Sequence, residues 1–322
     1  MAWLLEYRQV SLFWYTFVTL TASGVSASQF EVYKAITIDY DKNVLPDRNF
    51  SGAVVVSIDL AFFSLLNVDQ KEQTITFQTT LELTWKDENL SWNASEFGGT
   101  LSVVIPSSLL WKPDITVTSG LSVDYLIPDD QRFIKVLSDG TVQSYTYCVI
   151  TNQCILSIEA FPFDVQTCNI TFLSWMYSDD EVDLVIGKTR RNLDVPIDNN
   201  YIKGNGEWSL VSYDRKRNSY NTSGGHHYVD VKYTVKLRRQ PIYYICVLLI
   251  PTFVTATICL FGLFVPAMNT GERVEKVNMG MATLLSMAVI LGIVAGEMPK
   301  TTTLPLLGTI NTFLASIKSF EI

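Results

Sequence analysis

The chain has 322 residues, 48% of them hydrophobic and only 17% charged, which is apolar for a soluble protein and enough for one or two domains. The apolar excess gathers at the N-terminus and after Pro241, the pattern of a membrane protein with a water-exposed middle. The formal charge of −8 falls largely on that middle, which excludes nucleic acid as a partner and favours small cations.

Residues 1–27 read as a secretory signal peptide, with Arg8 as the positive flank, an apolar segment from Ser11 to Leu20 and small residues at Val25-Ser26-Ala27. Residues 28–240 carry many short runs of β-branched and aromatic residues, such as Val54 to Leu60, Gln73 to Trp85 and Val229 to Leu237. Turn signals such as Ser138-Asp139-Gly140 and Gly224-Gly225 punctuate them, which predicts an all-β, immunoglobulin-like β-sandwich outside the cell. Glycosylation sequons at Asn49, Asn89, Asn93, Asn169 and Asn221 all fall before the first apolar span. Residues 241–322 form the predicted α-helical transmembrane domain, with spans at 241–266 and 277–294 joined by a short basic connection holding Arg273 and Lys276. An incomplete third span is expected over 304–317, too short for a helix to cross a bilayer. Lys236, Arg238 and Arg239 lie on the exported side, against the positive-inside tendency.

Cys154 and Cys168 enclose thirteen residues around Phe161-Pro162-Phe163-Asp164, and Trp175 follows seven residues later. This combination resembles the signature of the Cys-loop, or pentameric ligand-gated ion channel, receptors, and specifically their nicotinic-like subunits. Trp85-Lys86-Asp87-Glu88-Asn89-Leu90-Ser91-Trp92 and Leu110-Trp111-Lys112-Pro113-Asp114 are similar to two further motifs of that family, in which Trp85 and Trp111 read as structural. Pro251 resembles the proline of its first span. The resemblance covers roughly residues 30 to 315. It implies a Cys154–Cys168 disulfide, worth about 3 kcal/mol in the chain-entropy account, with Cys148 free or paired intermolecularly. Pro162 then stiffens a tip from which two aromatics and a carboxylate project.

The resemblance also implies a ligand site shared between subunits, an aromatic box to which Trp175, Tyr220 and Tyr228 contribute. Thr118 and Thr80 stand where the family carries a tyrosine and a tryptophan, and Thr222-Ser223 where principal subunits carry adjacent cysteines. The implied ligand is a small cationic amine, acetylcholine-like, held by cation–π attraction. In the second span, Asn278, Ala282, Leu285, Val289, Gly292 and Gly296 recur at steps of four and three and share one helical face, the expected pore wall. Glu275 is placed as the inner selectivity carboxylate, with Glu272 the alternative register, and Glu297 as an outer ring. Asp69, Phe161, Pro162, Phe163, Asp164 and Arg239 are the expected gating couplers. Gln70 replaces the glutamate that pairs with the family's arginine, so Asp164 is the expected substitute, and the linker from Pro299 to Pro305 is the opposing surface.

The function expected is a subunit of a homo- or hetero-pentameric, cation-selective, neurotransmitter-gated channel in the plasma membrane, at synapses, in contact with lipid and permeating cations. The rival expectation is a non-conducting protein that binds ligand or modifies assembly. No cofactor or metal is expected, because His226 and His227 are neighbours that point to opposite sides of an extended segment. An enzyme is excluded by the lack of a nucleophile elbow, a phosphate-binding glycine loop or a zinc-ligand helix.

Overall fold

The computed structural model describes residues 28–46, 52–187, 202–222, 224–264 and 270–297. The signal peptide, Asn49, Ser223, the Pro299–Pro305 linker and the third span therefore lie outside the described residues.

Two sheets face each other. The larger has strand order β10-β1-β2-β7-β6-β3, from Ile202–Lys203 (β10), Val54–Asp69 (β1), Thr74–Lys86 (β2), Thr141–Gln153 (β7), Phe133–Leu137 (β6) and Ser102–Pro106 (β3). Gly120–Tyr125 (β5) pairs with β7, and Val182–Ile186 (β9) with β1. The smaller sheet runs β11-β12-β8-β4, from Trp208–Asn221 (β11), His227–Arg239 (β12), Val165–Ser174 (β8) and Ile115–Val117 (β4).

Strand β12 shows why the sequence folds this way. Val229, Val231, Tyr233, Val235, Leu237 and Arg239 alternate along it and are all buried, while Lys236 and Arg238 stay exposed. Each apolar residue of that set gains about 1.5–3 kcal/mol from burial, which fixes which face turns inward. The same phase carries Arg239 into the base of the core. On the facing sheet, Phe63 stacks on Phe77 with ring centroids 4.9 Å apart. The sandwich is not wholly β. A helix, Ser28–Thr37 (α1), precedes it and buries Val32 and Ile36, one turn apart, onto the same core. The strand pattern gave no sign of this helix.

Cys154, just after β7, is bonded to Cys168 in β8, with Cα atoms 5.2 Å apart, so the disulfide clasps one sheet to the other. Cys148 is buried and free, and burial pushes its thiol up to about 11. Trp85 and Trp111 are both buried and meet edge-on at 6.0 Å, in keeping with their structural reading.

Gly140, in the turn between β6 and β7, has φ +82°, and a Cβ there would stand 2.5 Å from the Asp87 carbonyl oxygen. Gly140→Ala is expected to lower stability by about 1–3 kcal/mol, read as a drop in the thermal midpoint. An unchanged midpoint would mean that the turn yields.

Below β12 the chain passes through a short α turn at Ile242–Tyr244 and a π turn at Ile245–Leu249 into Ile250–Phe264 (α2). A second helix, Thr270–Glu297 (α3), packs back on it, and a Cβ on Gly262 would come within 2.8 Å of the Met279 sulfur. Among the described residues no helix is long and apolar enough to cross a membrane. The apolar run from 241 is divided among three pieces, the last of which has 15 residues.

Candidate functional site

The β8–β12–β11 register builds the first candidate site. Leu173 pairs with Asp230, the last step of that ladder, and Tyr228 pairs with Tyr220 across the hairpin. Trp175 follows Leu173 by two residues, past the end of the ladder where the chain bends. The structure brings the tyrosines together, with ring centroids 6.2 Å apart and planes 23° apart. Trp175 lies beyond the end of β8, with two thirds of its surface exposed (66%).

Asp114 holds Trp175 in place. One of its carboxylate oxygens accepts from the Ser174 hydroxyl at 2.5 Å and the other from the Met176 N–H at 2.6 Å, one residue either side of the tryptophan. Asp114 follows the buried Trp111 by three residues. Sequence reasoning read Trp111 as structural and missed the role of Asp114. The signal available was an aspartate directly after a Trp-x-Pro anchor.

At the hairpin tip, the Thr222 N–H and hydroxyl both donate to the His226 carbonyl, and Gly225 takes φ +80°. The Asp179 N–H donates to the His227 carbonyl at 3.1 Å, which ties the turn after Trp175 to the hairpin. Both histidine side chains are exposed, and among the described residues no cluster is arranged to hold a metal. Asp230 stands close to Tyr220, and Asp180 close to the two histidines of the hairpin. The Ser178 hydroxyl holds the Asp180 carboxyl below its ordinary value. Burial, then Asp230 and Tyr228, push the Tyr220 phenol up, so it stays a neutral π face. Such a site attracts a cation.

The two threonines sit elsewhere. Thr118 donates through its N–H and its hydroxyl to the Thr171 carbonyl beside β8. Thr80 lies on the other sheet, paired with Phe62 on one side and Tyr147 on the other, whose rings are 6.4 Å apart.

The second centre is Arg239, at the base. Its Nε and Nη2 donate to the two oxygens of Asp164 at 2.8 and 3.2 Å, and Nη1 donates to Glu207 at 2.7 Å. Trp208, Phe161 and Tyr244 surround the guanidinium, with centroids 4.1, 4.9 and 5.3 Å away. Asp164 is thus the substitute partner that the Gln70 replacement called for, and Glu207 is a second one that sequence reasoning missed. Glu207 precedes Trp208 at the start of β11 and lies 32 positions from Arg239, a separation no local spacing reveals. The Tyr244 hydroxyl also donates to Glu207 at 2.8 Å, so the first residues below the sandwich join the same cluster.

The Cys-loop tip differs from the expectation. Phe161 and Asp164 do not project. Phe161 is buried edge-on against Tyr244 at 4.9 Å, with Leu248 and Leu249 behind it, and Asp164 turns to Arg239. Pro162, after a cis peptide bond, is buried too, and only Phe163 of the four is exposed. An ion pair and an aromatic contact together outweigh the stiffness of the tip. Asp69 accepts from the Glu72 N–H and lines, with Gln70, Phe161, Glu207 and Tyr244, a cavity of about 510 Å³ between the base and the helices.

On α3, Glu275, Asn278, Ala282, Leu285 and Val289 are exposed in the single chain, whereas Met287 on another face is buried. Glu297 closes the helix. Of the sequons, Asn93, Asn169 and Asn221 are exposed and Asn89 is half-buried.

Residues 29–241 match the family described as neurotransmitter-gated ion-channel ligand binding domain, from α1 to just past β12. The chain is 31% identical over 265 residues to the 5-hydroxytryptamine receptor 3A of Rattus norvegicus, covering 82% of this chain and 53% of that protein. It is 29% identical to the acetylcholine receptor subunit beta-like 1 of Drosophila melanogaster (90% and 55% covered). It is 28% identical to the acetylcholine receptor subunit alpha-type deg-3 of Caenorhabditis elegans (86% and 51% covered). The chain spans about half the length of these curated relatives. A sandwich with this disulfide and this match over most of its length leaves one assignment: the chain belongs to the Cys-loop family of neurotransmitter-gated ion channels, which are receptors and not enzymes.

Proposed function

We propose that the chain is a subunit of a pentameric, cation-selective channel opened by a small cationic amine. The observation that carries this is the Tyr220–Tyr228 ring pair beside Asp230, with Trp175 exposed at the end of the adjoining strand, whose following turn is tied to the hairpin by the Asp179–His227 hydrogen bond. Each desolvated face attracts an ammonium by up to about 2 kcal/mol. The relatives named for 5-hydroxytryptamine and acetylcholine support the same ligand class. In this reading residues 28–240 lie outside the plasma membrane, at synapses, with glycans on the sequons. The helices below span the bilayer, at 241–266 and 277–294. Neighbouring subunits, of the same or a related chain, close the aromatic site. The Arg239 cluster with Asp69 and the Phe161-Pro162-Phe163-Asp164 tip passes ligand binding to the helices.

The exposed face of α3 lines the pore. Leu285 and Val289 form an apolar constriction that gates by dewetting, and Glu275 selects cations. The test is electrophysiological. Co-expressed with a conducting related subunit, the chain is expected to alter amine-evoked cation currents. Glu275→Ala should then reduce cation over anion permeability several-fold more than Glu272→Ala does. A larger effect of Glu272→Ala would shift the register of the pore wall. Unchanged currents on co-expression, with the chain at the surface, would reject the conducting role.

A further inference from the structure

Helix α1 has few anchors of its own. Ten residues are too few for a helix to be stable alone in water, and only Val32 and Ile36 of its apolar side chains are fully buried. Tyr33 is half-buried beside them, and Phe30 is exposed. The helix lies against two 3₁₀ turns, Glu88–Leu90 and Ala94–Phe97. Where the end of α1 meets the first of these turns there is a cavity of about 390 Å³, whose walls include Ile36, Asp39, Tyr40, Asp41, Val44 and Asn89. That volume is at the small end of the range for ligand sites.

The walls have the chemistry of a sugar seat. Tyr40 is half-buried and its ring is fixed, because its hydroxyl donates to Asp87 at 2.7 Å and accepts from the Trp111 N–H at 3.1 Å. Such a ring offers an apolar platform to the C–H face of a pyranose. Ile36 and Val44 add apolar surface for an acetyl methyl group, and Asp39 and Asp41 are acceptors for hydroxyl and amide donors. The Asp39 carboxylate makes no hydrogen bond among the described residues, and Lys42 is turned away, donating to the Ser108 carbonyl at 2.8 Å. The attachment point is in the wall itself, since Asn89 opens the sequon Asn89-Leu90-Ser91. Its backbone N–H donates to the Asp87 carboxylate at 2.9 Å, which fixes the turn, while among the described residues its carboxamide is not engaged. Asn93, four residues on, differs. Its carboxamide caps the next turn, accepting from the Ser95 N–H at 3.2 Å and donating to Glu96 at 2.9 Å.

We propose that Asn89 carries an N-linked glycan whose first N-acetylglucosamine occupies this cavity and pins α1 to the sandwich. The covalent tether in the wall selects this occupant over a free ligand. The sugar ring lies on Tyr40, its acetamide meets Ile36 and Val44, and Asp39 accepts from it. The glycan is then part of the fold at this end of the domain, not only a solubilising coat. The inference rests on the reading that residues 28–240 are exported.

The experiment expresses the full chain in a eukaryotic host that makes only high-mannose glycans, and maps glycopeptides by mass spectrometry. Asn89 should be occupied. Asn89→Gln should lower the thermal midpoint, followed by tryptophan fluorescence, by about 2–4 °C and speed hydrogen exchange of the α1 amides several-fold. Asn93→Gln should do neither. An endoglycosidase that trims each glycan to a single N-acetylglucosamine should leave the wild-type midpoint and α1 exchange unchanged, because the seated sugar is retained. Asp39→Ala should lower the midpoint of the glycosylated chain and have no effect in the Asn89→Gln chain. An equal loss from Asn93→Gln overturns the proposal by showing a general effect of glycans. So does a trimmed protein that behaves like Asn89→Gln, or an Asp39→Ala effect that persists without the sugar. Glycans at other sequons with Asn89 bare overturn the proposal and leave the exported reading intact. A chain without a glycan at any sequon overturns both.

Discussion

Asp164→Asn is expected to lower the stability of the chain by about 3–5 kcal/mol, the usual consequence of leaving one partner of a buried ion pair uncompensated. Arg239 and Asp164 are 1% and 2% exposed, and two hydrogen bonds join them. The carboxylate also accepts from the Gln166 amide at 2.5 Å, so the substitution disturbs a third group. Glu207 cannot make up the loss. Its side chain is 39% exposed, and it reaches only Nη1. Glu207→Gln should therefore cost about 1 kcal/mol or less, after solvent screening is allowed for. For a domain of this size, the Asp164 effect corresponds to a fall in thermal midpoint on the order of 10 °C. Asp164→Asn combined with Arg239→Leu should recover part of it, because the orphaned charge is then gone. Equal losses from Asp164→Asn and Glu207→Gln would show that the exposed carboxylate matters as much as the buried one.

The other large effect concerns the ligand. Trp175→Ala is expected to weaken a small quaternary amine by about 2 kcal/mol, roughly thirtyfold, and Tyr220→Phe much less, since the ring and not the hydroxyl faces the cation. A neutral isostere of the amine should bind far more weakly than the charged form. Thr118 and Thr80 supply no aromatic wall, so the affinity of the unmodified site should be modest. Asp114→Ala should act through Trp175, which loses the two hydrogen bonds flanking it, and should lower affinity by about tenfold. Radioligand displacement on the chain assembled with a complementary subunit measures all of these. Equal binding of charged and neutral isosteres, or an indifferent Trp175→Ala, would reject the aromatic site.

The parts legible in the sequence were those written as local patterns. The run of β-branched and aromatic residues from Val229 to Leu237 predicted a strand, and two cysteines spaced around Phe-Pro-Phe-Asp pointed to the Cys154–Cys168 disulfide. Trp175 was picked out from Cys168 and the two tyrosines from Arg239 and its strand, and the hairpin register pairs the tyrosines with each other. What escaped were partners distant in the chain. Glu207 meets Arg239 only because β11 and β12 pair, and Asp114 meets the Trp175 turn only because β4 lies beside β8. The direction of Phe161 escaped for a similar reason. Proline stiffness argues for a protruding tip, but Tyr244 and Leu248 offer an apolar seat that the local sequence does not contain. The helix α1 was lost among strand signals because ten residues give little periodicity to read.

One strand carries a mechanical consequence. Tyr228 and Arg239 stand at the two ends of β12, eleven residues and roughly 36 Å apart, and between Asp230 and Arg238 the strand has hydrogen-bonded neighbours on both sides. Such a ribbon resists stretching far more than it resists twisting. A push on the tyrosine end travels as a tilt of the whole rod, not as a wave of rearranged contacts. The companion strand is different: its register slips between Leu210 and Ser212, close to the base. One leg of the hairpin is therefore stiff from end to end and the other has a compliant joint near its foot, so a tilt at the tip arrives at Arg239 as rotation about that joint.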